Sequence, residues 1–194
     1  MTLSRRHLLL AGTIGLTALA TTAPAMAEGT GSDVWSEEFM TRPETREGFA
    51  VDSMDDWQVQ NARFIIAVCK GHGITAHGTQ IALATAIVES WLYNYQPEVD
   101  LDSGGLFQQR PSAGWGTVAD VRHKKRAVDA FLGFGPHATA PGLITVAPDY
   151  ENWDLGTAAQ AVQVSDHPER YNEQAGAAAI LWGRYADSVD PFSG

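Results

Sequence analysis

The chain has 194 residues, 44% of them hydrophobic, with 23 Asp and Glu against 13 Lys and Arg for a formal net charge of −10. That length suits one domain with a single sizeable core, and the acidity weighs against nucleic acid and anionic membrane surfaces as partners. Cys69 is the only cysteine, so no disulfide forms within the chain and stability rests on packing.

Residues 1–27 read as an export signal. Ser4, Arg5 and Arg6 give a charged start, residues 8–20 are apolar, and Ala25-Met26-Ala27 is a small-x-small cleavage site. The arginine pair resembles a twin-arginine signal, with an ordinary secretory signal as the alternative. The apolar run is short for a membrane span and no second long one follows, so no membrane association is expected after signal removal. The expected location is secreted, extracellular or cell-wall associated. Removal leaves 167 residues and, with two arginines and no acids lost, a charge of −12.

Residues 28–56 are polar and acidic, with scattered Trp35, Phe39 and Phe49, and read as a linker or N-terminal extension. Asp52 and Ser53 offer N-cap oxygens to a first amphipathic helix, in which Trp57, Asn61, Phe64, Ile65 and Val68 fall at helical spacing and Gly71 and Gly73 mark the end. Residues 79–93 predict a second helix of another kind. From Ile81 to Val88 the only polar residue is Thr85, so this helix has no wet face and belongs in a core. An acidic loop follows, then the Gly/Pro-bounded segment GLFQQRPSAGWG at 105–116. Residues 117–132 predict one basic-faced helix with Val118, Val121, Ala127, Val128 and Phe131 on its apolar side. Residues 133–153, with three prolines and three glycines, predict a loop long enough to serve as a lid or a cleft wall. Helices are expected over 157–164 and 169–185. Strand alternation and internal repeats are absent, so the fold class is mainly α with long irregular loops and little or no β-structure. The domain is placed at 57–185 and a C-terminal tail at 186–194.

The chemistry centres on Glu89. A carboxylate near the C-terminus of an apolar helix opposes the helix dipole, and burial beside Ile87 and Trp91 disfavours its ionisation. Both effects raise its pKa and suit a general acid of the kind that protonates a glycosidic oxygen. The alternative is a helix-end glutamate turned into water.

Glu89-Ser90 on an apolar helix, then an acidic turn and Gly105-Leu106-Phe107-Gln108-Gln109-Arg110-Pro111, resembles the lytic transglycosylase and goose-type lysozyme superfamily. ALATAIVESWL with DSGGLFQQRPSAGWGT is similar to its exported actinobacterial lysozyme-like domains, over roughly residues 57–185. The resemblance implies a lysozyme-like helical fold with Glu89 as the catalytic acid, Ser90 as its supporting hydroxyl and Gln108 as an amide contacting the sugar N-acetyl region. Phe107, Gln109, Gln163 and Tyr171 complete the expected substrate-binding set. Ala161-Val162-Gln163 sits where many relatives carry Ala-Tyr-Asn, so valine replaces a tyrosine near the acid, and Tyr171 or Tyr93 would have to supply the phenol.

Other groups of residues admit chemical readings as well. Asp102 and Asp100 are candidates for a second carboxylate, against service as solvated turn acids. Glu98, Asp100 and Asp102 do not fit a calcium loop, since Ser103 and Gln109 stand at the glycine and glutamate positions. Cys69, His72 and His77 have metal-ligand types at close spacing, but a buried cysteine with two turn histidines explains them without a metal. Trp91, Tyr93, Tyr95, Phe107 and Trp115 are stacking surfaces for sugar or else packing residues. The expected protein is a monomer without cofactor or metal. It would cleave the MurNAc-GlcNAc β-1,4 bond of peptidoglycan glycan strands, most economically as a lytic transglycosylase with one acid/base glutamate. The alternative is a non-catalytic glycan-binding or wall accessory protein on the same fold.

Overall fold

The computed structural model describes residues 48–95 and 101–194. The signal peptide, most of the acidic extension and Asp100 lie outside them. Among the described residues the chain is mainly α-helical, with no strand and an isolated antiparallel bridge between Gly104 and Gln109.

The first helix, α1 (Asp56–Gly71), begins one turn later than the sequence predicts. Asp55, not Asp52 or Ser53, is its N-cap, because Gln58 answers Asp55 in a capping box while Val51–Ser53 form a separate 3-10 turn. The apolar helix α2 (Ala76–Ser90) is capped by Thr75, and every residue from Gly78 to Ile87 is buried except Gln80. Its buried threonines satisfy their hydroxyls within the helix, Thr79 on Thr75 O and Thr85 on Ile81 O, both at 2.8 Å. With no wet face, α2 is enclosed by α1, by α4 (Lys124–Leu132), by α6 (Leu155–Gln163), by α7 (Glu169–Glu173) and by α8 (Ala175–Tyr185).

Two predicted helices are divided. Residues 117–132 break at His123, whose extended backbone separates α3 (Val118–Arg122) from α4. Asp120 closes a capping box with Thr117 and accepts from Arg126 at 2.6 Å, while Lys124 turns fully inward over the Phe64 ring. The predicted basic face is thereby largely consumed, and Val118 is exposed. Residues 169–185 break at Gln174, which lets α7 point across the end of α2 while α8 packs along it.

Residues 133–153 are irregular but packed. They contain the short α5 (Leu143–Val146), with Leu143 and Ala147 fully buried. The tail predicted at 186–194 is also part of the domain. Phe192 N–H donates to Ala67 O at 2.8 Å, the Phe192 ring packs edge-on against Phe64, and Lys70 Nζ donates to Ala186 O and Val189 O.

The element that positions the site is the tight turn at 104–109. Gly105 has φ +72°, and a Cβ there would lie 2.0 Å from Val121 O, so glycine is required both for conformation and for close approach to α3. Gly105→Ala is expected to destabilise the protein by about 3 kcal/mol or more, since neither partner in the clash is a movable side chain. A urea melt that moves by less than about 1 kcal/mol would refute this placement of the turn.

Candidate active site

Glu89 is the penultimate residue of α2 and half-buried. The Tyr171 hydroxyl, from α7, donates to Glu89 Oε1 at 2.6 Å. Gln163, at the end of α6, lies near the same carboxylate, and its Nε2 donates to Phe107 O at 2.8 Å. Burial pushes the Glu89 pKa upward, opposed by the bond from Tyr171, by the nearby Gln163 amide and by the positive charge of Arg170. The Tyr171 phenol is itself raised, by burial and then by the adjacent carboxylate, and so stays a proton donor.

The backbone around the acid is strained. Trp91 and Leu92, directly after Glu89-Ser90, both have positive φ, 53° and 62°. Such a conformation costs an ordinary residue about 1 kcal/mol or more. Two amides of α1 hold it in place: Gln58 Nε2 donates to Trp91 O at 2.9 Å and Asn61 Nδ2 to Leu92 O at 2.7 Å. Gln108 and Val164, each next to a residue of the Phe107–Gln163 bond, also have positive φ, 46° and 52°.

No family model matches the chain, and no curated protein matches it either.

Several residues predicted to bind substrate are buried or committed to internal hydrogen bonds. The Ser90 hydroxyl is buried, 2.7 Å from Leu106 O and 3.0 Å from Ala86 O, so it pins the 104–109 turn to α2. Phe107 is fully buried and stacked on Phe131 at 4.7 Å, and buried Gln109 donates to Ala127 O. Tyr171 is buried and spends its hydroxyl on Glu89. Tyr93, Tyr95 and Trp115 are buried too, leaving only partly buried Trp91 of the proposed stacking aromatics with appreciable surface. Gln108 does remain half-exposed, its Nε2 resting on Gly105 O at 3.0 Å.

Asp102 is committed to its loop. It accepts from Arg110 Nε at 2.8 Å, from Ser112 N–H at 2.7 Å and from the Ser112 hydroxyl at 3.0 Å. The Arg110 guanidinium, followed by the Ser112 bonds, holds its carboxyl well below the usual range. The metal reading fails as well. Cys69 is buried with its thiol pushed up to about 12, His72 pairs with Asp129 at 2.8 Å, and His77 faces Trp153 O at 3.0 Å. Among the described residues no group of three or more His, Cys, Asp or Glu side chains is placed to hold a metal ion.

Val162 is core, and the phenol that meets Glu89 is that of Tyr171. Sequence reasoning passed over Arg170. Its signal was a lone cation between Asp166 and Glu173 in an acidic chain.

Because the folded pKa of Glu89 lies above its unfolded value, its ionisation opposes folding. The favourable contribution is complete below the unfolded pKa and is lost as pH rises through the folded one. Glu89→Gln keeps the shape and cannot ionise, so it is expected to raise the urea midpoint at pH 8 relative to the parent and to lose that advantage at pH 4. An equal midpoint difference at both pH values would show that the carboxylate is not desolvated.

Proposed function

We propose that this is a secreted peptidoglycan-cleaving enzyme acting on the MurNAc-GlcNAc β-1,4 bond, of the lytic transglycosylase type. The observation that carries the reading is a desolvated carboxylate held by a phenol at the end of a buried helix, beside the strained 104–109 turn. Burial favours the protonated acid, which is the form needed to protonate a glycosidic oxygen. Export, inferred from residues 1–27, would bring the protein to its substrate.

In this mechanism Glu89 gives its proton to the leaving O4 of GlcNAc as the C1–O4 bond breaks. Glu89, now a carboxylate stabilised by Tyr171, then removes the proton of the muramic C6 hydroxyl. O6 bonds to C1, giving a 1,6-anhydro end, and Glu89 is protonated again. No water is consumed and no second carboxylate is needed, which accords with the commitment of Asp102 to Arg110 and Ser112. Gln108 is left as a half-exposed amide for the glycan.

Mass spectrometry of products from purified cell wall tests bond and mechanism together. Anhydro-muropeptides are expected, and Glu89→Gln is expected to lower their release by about 10²-fold or more. Undiminished release would remove Glu89 from the mechanism, and reducing muropeptides would replace transglycosylation by hydrolysis. Tyr171→Phe removes a bond that lowers the pKa of the acid, so the alkaline limb of the kcat/KM profile is expected to move to higher pH. An unmoved limb would detach Tyr171 from the titrating group.

A further inference from the structure

Arg170 stands immediately before Tyr171 on α7, exposed to solvent, and its charge is felt by Glu89. Among the described residues it is the one lysine or arginine whose side chain makes no hydrogen bond, ion pair or ring contact. Arg110, Lys125, Arg126 and Arg184 pair with carboxylates, Arg63 and Lys70 hold oxygens of the C-terminal segment, and Arg122 and Lys124 are also partnered. Partners for Arg170 lie close in sequence. Glu173 is one helical turn away and Asp166 four residues before, yet neither pairs with it. An unpaired planar guanidinium on the short helix whose Tyr171 bonds the candidate acid is suited to a carboxylate, which it can grip in two places.

We propose that Arg170 is a subsite for a carboxylate carried by the substrate, selecting muramyl glycans with an ionised lactyl or stem-peptide carboxylate over neutral glycans. This rests on the glycosidase reading of Glu89. The lactyl and stem carboxylates present the same chemistry, and the substrates below separate them.

The test compares the parent protein, Arg170→Gln and Arg170→Lys on three glycans: strands stripped of peptide, strands with intact stems, and strands whose carboxyls have been amidated. The parent is expected to show a KM about tenfold lower on at least one charged strand than on its amidated form. Arg170→Gln should erase that difference with kcat changing less than KM, and Arg170→Lys should keep part of it. An advantage confined to stripped strands assigns the lactyl carboxylate, and one confined to intact strands assigns the stem. Equal losses on charged and amidated strands, or none on either, overturn the subsite while leaving the glycosidase reading intact. A parent protein that cleaves none of the three overturns both.

Discussion

A helix of fifteen residues with no polar face has to be enclosed, and the rest of this fold follows from enclosing α2. Five helices pack around it, so its interior positions are alanine, isoleucine, leucine or threonine turned back onto its own carbonyls. The enclosure also fixes its C-terminus. Backbone groups there lose water and need protein partners, and α1 provides them through Gln58 and Asn61. Glu89 is thus delivered at a defined point by the enclosed end of a buried helix.

Around that carboxylate opposing influences are balanced. Burial and the helix end favour the neutral acid, whereas Tyr171, Gln163 and Arg170 favour the anion. Hydrogen bonds next to it tie three elements together: Ser90 of α2 and Gln163 of α6 grip successive carbonyls, Leu106 O and Phe107 O, of one tight turn. The turn, not the side chains of Leu106 and Phe107, is what the site uses.

Strain follows the same geography. Of the non-glycine residues with positive φ, Trp91, Leu92, Gln108 and Val164 flank the carboxylate or the turn beside it, and Leu101 lies in the neighbouring loop. Val164 is also 78% exposed, so a β-branched residue occupies a costly backbone conformation with no burial to offset it. Strain held in place by surrounding packing is characteristic of functional sites.

The sequence alone determined the helical class, the central helix and the isolation of Glu89 on it, because each follows from local periodicity and from the cost of burying a charge. It could not show that the helix over 117–132 would break at His123, since the inward turn of Lys124 over the Phe64 ring depends on a neighbour distant in the chain. Nor could it separate the glutamines at 108 and 109, adjacent residues of which one is half-exposed and the other buried against Ala127. The phenol partner of the acid lies 82 residues from it. Only the packing of α7 across the end of α2 decided that Tyr171 reaches Glu89, that Val162 is core and that Arg170 is left free, because those outcomes depend on which helix ends meet.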